Sequence, residues 1–280
     1  MRTVFHARMD PVVDHLVTMT GLVADMMGEA TASLLTADLE RAERCVTADK
    51  AVNQLQTETD ESIIDLMTRQ GPVATDMRSL VAALRITTDV ERMGDLAAHI
   101  AKVARRRYPD RAVPDPLADT FAGLGSKAQT IAEKTGLLLA SRDIDLCDEI
   151  KRDDDEIDGL HRSMFLVVLD HSWPGTAEQA IDLALMGRYS ERFGDHAVLI
   201  AAHVRYLITG SYERLGVPSR QQLPSRTLRP SNPGLSVRNP RTHRPRPGLR
   251  PSNAGHAVSV GRTSRDGARV TASASPRAAG

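Results

Sequence analysis

Two nearly identical pentapeptides, ERMGD at residues 91–95 and ERFGD at residues 191–195, lie 100 residues apart in this chain. The match continues downstream at the same spacing, where Ile100 corresponds to Ile200. Solenoid proteins have shorter repeat units, of about 20–50 residues. We therefore predict that the chain contains two copies of one domain-sized unit.

Apolar residues recur with helical spacing from residue 9 to about residue 214. The first helix is predicted to begin with Asp10 as its N-cap and Pro11 at its first position. Aromatic residues make up only 3% of the chain, which suits packed helices better than sandwiches or barrels. Each half follows the order helix, helix, Gly/Pro hairpin, long helix. The sequence thus predicts an all-α fold of two tandem three-helix bundles.

The proline-rich segment YPDRAVPDP at residues 108–116 separates the two predicted bundles, which we place at residues 1–107 and 115–214. Residues 215–280 are rich in Pro, Ser and Arg and have no apolar period. Such a segment cannot bury enough apolar surface to offset its chain entropy, so we predict a disordered basic tail. Three alternatives remain for the tail. It could be a solvated extension without a function, or an electrostatic arm that binds phosphates, nucleic acid or acidic partners. It could also be an artefact that arises when GC-rich DNA is translated in the wrong reading frame.

Charge is distributed unevenly along the chain. Residues 1–216 contain 24 Lys and Arg against 35 Asp and Glu, a net charge of about −11, whereas residues 217–280 contain 12 Arg and one acid. An acidic folded part argues against nucleic acid as its ligand.

The longest apolar run, at residues 164–169, is too short to span a bilayer, and no signal peptide is recognisable. Cys45 and Cys147 form no zinc or disulfide pattern, so we predict buried thiols in a cytoplasmic protein.

Each pentapeptide places two carboxylates one helical turn apart. At about 100° per residue, Glu91 and Asp95 share a face opposite the apolar stripe through Met93, and Glu191 and Asp195 repeat this arrangement. Acids opposite a core are ordinary in an amphipathic helix. However, like charges at this spacing destabilise a helix, and a glycine within it costs about 1 kcal/mol relative to alanine. Because both halves carry both features, we predict outward-facing carboxylates with a compensating function.

A bound cation would compensate for these features, because carboxylates are ligands of hard divalent ions and of carboxylate-bridged iron clusters. The preceding helix of the second half offers Asp154 and Asp158, and Asp49 and Asn53 correspond to them in the first half. The glycines would give clearance to a neighbouring helix or a bridging ligand. The predicted metal ligands are Glu91, Asp95, Glu191, Asp195, Asp154, Asp158 and Asp49.

Two other functions fit a helical metal-binding protein, namely a carboxylate-bridged metalloenzyme and a metal-storage protein. Ferritin-like enzymes carry Glu-x-x-His motifs, and this chain contains none. We therefore expect no catalysis. Magnesium and manganese remain compatible with the donor set.

Two stretches resemble signature regions of the PhoU family. They are RQGPVATDMRSLVAALRITTDVERMGDLAAHIAKVA at residues 69–104 and RYSERFGDHAVLIAAHVRYLITG at residues 188–210. The resemblance covers about residues 1–214 and centres on the family's Glu/Asp-x-x-x-Asp motif, from which Asn53 departs. It implies two three-helix bundles with pseudo-two-fold symmetry, often dimeric, with multinuclear iron or zinc at the motifs and no catalytic activity.

The resemblance also implies a regulatory role. PhoU-like proteins are negative regulators of the phosphate regulon, and they couple a phosphate ABC transporter to a membrane sensor histidine kinase. We therefore expect the transporter ATPase subunit, the kinase and a second copy of this chain as partners. Contact with the inner face of the membrane is expected only through these partners.

Overall fold

The computed structural model describes residues 2–69, 71–171 and 173–210, and every regular element in these residues is helical. The helices are α1 (Arg2–Thr36), α2 (Leu39–Arg69), α3 (Ala74–Arg107), α4 (Ala118–Ser141), α5 (Asp145–Val168) and α6 (Ala177–Thr209). A 3₁₀ turn at Asp115–Leu117 leads into α4. The all-α prediction is confirmed. The predicted tail at 215–280 lies outside the described residues, and the bundle boundaries stay predictions.

The turns that join the first two helices of each half show the same duplication. Ala37 and Arg142 occupy matching positions and both adopt the left-handed conformation, with φ of 53° and 56°. Asp38 and Asp143 follow them, and each side chain accepts a hydrogen bond from a backbone N–H near the start of the next helix, at 3.0 and 3.1 Å. The repeat therefore includes the capping of these turns.

The start of α1 differs from the sequence prediction. Thr176 and Gln179 form a capping box at the start of α6. Helix α1 begins at Arg2 and contains Pro11 in its interior, so the predicted start at Asp10 is wrong. Pro11 removes one backbone donor. The helix therefore lacks one backbone hydrogen bond at Pro11. Met9 and Val12 are both buried, and the burial of their apolar side chains helps to offset the missing hydrogen bond.

Two sets of three helices pack together within one unit that contains all six. Helices α1, α2 and α3 contact one another, as do α4, α5 and α6, and the two bundles meet along α1–α4 and α3–α6. The α1–α4 contact is close, because a Cβ added to Gly125 would lie 2.1 Å from Thr31 Oγ1 and one added to Gly136 would lie 2.8 Å from Thr20 Oγ1. The predicted pair of three-helix bundles is confirmed.

The core is built from aliphatic residues and methionines, with few aromatic rings. Cys45 and Cys147 are buried free thiols within it, as predicted, and burial raises the pKa of the Cys45 thiol to about 12. In the described part of the chain, no helix combines the length and hydropathy that a membrane span requires.

Candidate metal-binding carboxylate clusters

The acidic pair of α6 faces that of α5 across a short gap. We call Asp154, Asp158, Glu191 and Asp195 the second-bundle cluster. A Cβ added to Gly194 would lie 2.5 Å from Asp154 Oδ1, closer than real Cβ atoms approach other atoms. The absence of a side chain at Gly194 thus lets the Asp154 carboxylate lie against the α6 backbone. The predicted clearance is confirmed at this glycine.

Helices α2 and α3 bring together the matching residues of the first half. We call Asp49, Asn53, Glu91 and Asp95 the first-bundle cluster. Asn53 Nδ2 donates a hydrogen bond to Asp49 Oδ2 at 3.5 Å. A Cβ added to Gly94 would lie 3.7 Å from Asp49 Oδ1, which is an ordinary contact. Clearance is therefore not required at Gly94, and that part of the prediction is wrong.

Of the four carboxylates predicted to face outward, Glu91 and Glu191 are largely covered, whereas 44% of the Asp195 side chain is exposed. The exposed fraction of the side chain is 14% for Glu91, 17% for Glu191 and 6% for Asp154. Along each helix alone, these carboxylates lie opposite the main apolar stripe. In a three-helix bundle that face is partly covered by a neighbouring helix, which is α2 for Glu91 and α5 for Glu191.

Burial and mutual repulsion disfavour the ionised form of these groups. Burial raises the pKa of Glu91, and Asp95 and Asp49 raise it further. Burial also raises the pKa of Asp49, with Asp95 as the next cause. In the second-bundle cluster, burial raises the pKa values of Asp154 and Glu191, and neighbouring carboxylates add to both shifts. Each cluster thus concentrates negative charge that the fold alone does not fully compensate.

The two clusters differ in their basic neighbours. In the second bundle, Lys151 Nζ lies 3.0 Å from Asp154 Oδ2, and Arg188 pairs with Glu191. Arg192 and Arg162 lie farther out, 3.8 Å from Asp195 and Asp158.

The first-bundle cluster has fewer such partners. Arg92 lies 2.9 Å from Asp95 and 3.6 Å from Glu91. Thr88 occupies the position that corresponds to Arg188. The two halves thus share their carboxylates and differ in the positive charge around them.

Two oxygens support a cation as the missing partner. Asp49 Oδ1 and Asp154 Oδ1 are buried without a hydrogen-bond partner in the described part of the chain, and they occupy matching positions in the two repeats. A buried carboxylate oxygen without a donor is costly, and oxygen donors suit hard cations. As placed, however, no three His, Cys, Asp or Glu side chains among residues 2–69, 71–171 and 173–210 gather tightly enough to hold a metal ion. The metal site stays a prediction.

Two acids, Asp89 on α3 and Asp182 on α6, make polar contacts across the α3–α6 interface that the sequence pattern does not predict. Asp89 Oδ1 lies 3.0 Å from His196 Nδ1, and its other oxygen lies 3.9 Å from His203 Nε2. Asp182 pairs with Arg106 and Arg107. Repeat comparison did not single out these acids because their counterparts are Tyr189 and Ala82.

The fold and the site together define the class of this protein. It is a helical protein made of two repeated three-helix bundles, each with an acidic cluster at a matching position. The model of the PhoU domain family matches residues 16–104 and 121–204 of this chain. The chain belongs to the PhoU domain family.

Several relatives match nearly over their full length. Over 212 residues, the chain is 37% identical to the phosphate-specific transport system accessory protein PhoU homolog 2 of Mycobacterium tuberculosis, covering 76% of this chain and 100% of that protein. It is equally 37% identical to the PhoU homolog 1 of Mycobacterium leprae, covering 96% of that protein.

Solved structures support the same fold. The crystal structure of PhoU from Pseudomonas aeruginosa matches with a TM-score of 0.66 and 26% identity, over 74% of this chain and 100% of that one. The phosphate transport system regulatory protein PhoU from Streptococcus pneumoniae has a TM-score of 0.67 over 75% of this chain and 99% of that one. At 20% identity this second match supports the fold alone.

Proposed function

We propose that this chain is a non-catalytic negative regulator of phosphate uptake and phosphate-starvation signalling. The observation that carries the proposal is the match to relatives named as accessory proteins of a phosphate-specific transport system. It runs over 100% of one such relative at 37% identity. Because the similarity extends over both bundles, it favours a role that this chain shares with that relative.

In this role the chain is an adaptor between a phosphate ABC transporter and a sensor histidine kinase. A homodimer contacts the transporter's ATPase subunit at the inner face of the membrane and favours the inactive state of the kinase when phosphate is abundant. An adaptor can shift a partner between two states only if its affinity for those states differs. The contacts between the two bundles along α1–α4 and α3–α6 would let them present one continuous surface to such partners.

In the same proposal, the carboxylate clusters bind metal ions. Asp49, Glu91 and Asp95 hold a cation or a multinuclear iron or zinc cluster in the first bundle, and the second-bundle cluster holds its counterpart. The unpartnered Asp oxygens and the raised carboxylate pKa values support this assignment. The bound cation would reduce the repulsion between the carboxylates of each cluster. It would also link the two helices of each bundle that carry these carboxylates.

Deletion of the gene tests the regulatory role. We expect transcripts of phosphate-uptake genes to rise in phosphate-replete medium, and a plasmid copy of the chain to restore repression. Deleting the kinase gene as well should abolish the rise, because the proposed signal passes through the kinase. Normal repression in the single deletion strain would contradict the regulatory role, and a rise that persists without the kinase would contradict the coupling.

A further inference from the structure

The charged residues at the surface are divided unevenly between the helices. On α3 and α6, the exposed charged residues are seven arginines and one acid, Glu178, and the other acids of these helices are buried or half-buried. On α1, α2, α4 and α5, the described part of the chain exposes six basic residues and thirteen acids. Positive charge is therefore concentrated at the surface of two helices, in a body that is acidic elsewhere.

Helices α3 and α6 form one side of the body. They contact each other, while α1 packs against α3, α4 packs against α6, and α1 contacts α4. The exposed sides of α3 and α6 therefore face away from the α1–α4 pair. On α3, the exposed side carries basic residues every seven positions, namely Arg78, Arg85, Arg92, His99 and Arg106. Residues at this spacing drift by only about 20° around a helix, so the row extends along one side of α3 for about 40 Å.

The exposed side of α6 mixes apolar and basic residues. Its row lies within about 60° around the helix and consists of Ile181, Leu185, Arg188, Arg192 and Leu199. The exposed fraction is 60% for Ile181 and 47% for Leu199. We call the α3 row and the α6 row together the basic face. Arginines and exposed aliphatic side chains thus lie side by side along its length.

Four arginines of the basic face have acidic partners that lie deeper in the body. Arg92 pairs with Asp95, Arg106 with Asp182, Arg188 with Glu191, and Arg192 with Asp195. In each pair the arginine side chain is more exposed than the carboxylate, although Asp195 is nearly as exposed as Arg192. The guanidinium groups therefore form the outer layer of this side.

We propose that the basic face binds directly to a membrane surface that contains anionic phospholipids. Guanidinium groups bind phosphate oxygens, and a row of them is attracted to an anionic lipid surface. The aliphatic side chains beside them would enter the boundary between the headgroups and the acyl chains. The acidic helices on the other sides would be repelled, so the charge distribution sets the orientation of the body. This inference does not depend on the proposed regulatory function, in which the chain reaches the membrane through its partners.

The arrangement of the residues favours a lipid surface over other acidic partners. A protein interface usually gathers its apolar residues into a core with a polar rim. On the basic face, Ile181, Leu185 and Leu199 are instead interspersed with arginines. A membrane surface offers phosphate and hydrocarbon at every point, which matches this pattern. Nucleic acid offers phosphate but no apolar layer for the aliphatic side chains.

Cosedimentation of the full chain with vesicles tests the proposal, using phosphatidylcholine alone or mixed with phosphatidylglycerol. We expect binding to the anionic vesicles at an ionic strength of about 0.15 M, where long-range attraction is largely screened. Residues 217–280 contain 12 Arg and can attract anionic lipid themselves, so the variants leave that segment unchanged. Wild-type protein that does not bind, or that binds both kinds of vesicle equally, would overturn the proposal.

Two charge-reversal variants locate the binding. Arg78→Glu with Arg85→Glu should weaken the affinity for anionic vesicles by about tenfold or more, because two basic side chains at the lipid surface are lost. Arg8→Glu with Arg152→Glu changes the net charge equally at exposed positions of α1 and α5, and it should keep most of the affinity. Equal losses in the two variants would show that net charge, and not the basic face, determines binding.

A fluorescence measurement tests whether the basic face itself contacts the acyl chains. Leu185→Trp places a reporter on this face, and Leu137→Trp places one on α4, where Leu137 is 59% exposed. With anionic vesicles that contain brominated acyl chains, we expect quenching specific to the Leu185→Trp protein beyond the background from Trp173. Equal quenching of the two variants would overturn the assignment of the face. Duplex DNA that binds with similar affinity and the same dependence on Arg78 and Arg85 would instead assign the face to nucleic acid.

Discussion

Gly194 controls how closely α5 and α6 approach at the second-bundle cluster. The position of its absent Cβ lies 2.5 Å from Asp154 Oδ1, and Asp154 is almost fully buried. Any side chain at Gly194 must therefore displace a carboxylate that has little room to move. Gly21 offers the matched case, because it lies within α1 and an added Cβ would meet nothing within 4 Å.

We predict that Gly194→Ala lowers the free energy of unfolding by about 1–3 kcal/mol, as other overpacking substitutions do. Gly21→Ala should instead raise it by up to about 1 kcal/mol, because alanine favours a helix interior. Urea unfolding followed by circular dichroism measures both. In the double variant Gly194→Ala with Asp154→Ala, most of the loss specific to the glycine should disappear. A Gly194→Ala protein as stable as the wild type would contradict the close approach.

The sequence predicted the role of Gly194 but not the surroundings of the acids beside it. A glycine in an unfavourable place, repeated in both halves, predicted a close neighbour at both positions, but only Gly194 has a neighbour that leaves no room for a side chain. How closely that neighbour approaches depends on interhelical geometry, which differs between Gly94 and Gly194. Periodicity along α3 likewise places Glu91 opposite the main stripe but does not show that α2 covers that face.

At the level of helices, the sequence was enough to predict that the three-helix unit is duplicated. It was not enough to predict how the two bundles contact each other. The hairpins, the capping box at Thr176 and most helix ends follow from local residue chemistry, which is visible in the sequence. The α3–α6 interface depends on residues that break the repeat. Asp182 faces Arg106 and Arg107, although 75 residues separate it from Arg107 along the chain. Single-sequence patterns do not identify such partners.

We predict that Asp182→Asn lowers the free energy of unfolding by about 2–4 kcal/mol, because it removes the charge that two arginines share at a buried position. Asp65→Asn provides the control. It removes a carboxylate that pairs with Arg69 on the surface of α2, where both side chains are largely exposed. Such surface pairs contribute at most about 1 kcal/mol. Equal effects of the two substitutions in urea unfolding would show that Asp182 does not anchor the interface.

For the whole molecule, the carboxylate clusters link stability to pH. Burial, together with neighbouring acids, raises the pKa values of Asp49, Glu91, Asp154 and Glu191 above the ordinary carboxyl value of about 4. Between that value and the raised pKa values, the folded state binds more protons than the unfolded state. The free energy of unfolding therefore falls as the pH rises through this range, and the loss is complete above it. A bound cation acts in the opposite sense, because it requires ionised ligands.

We predict that the melting temperature of the protein after treatment with chelator falls as the pH rises from about 4 to 7, and that excess Mn²⁺ raises it again at pH 7. A ligand at one hundred times its dissociation constant stabilises the folded state by about 2.7 kcal/mol. Near pH 4 the ion should have less effect, because the raised pKa values of Asp49, Glu91, Asp154 and Glu191 favour their protonated forms there. Glu191→Ala with Asp195→Ala should reduce the shift at pH 7 and the bound metal found by elemental analysis, whereas Glu58→Ala with Glu61→Ala, which alters exposed acids of α2, should change neither. Unchanged metal content in the first double variant would contradict the assignment of the second-bundle cluster.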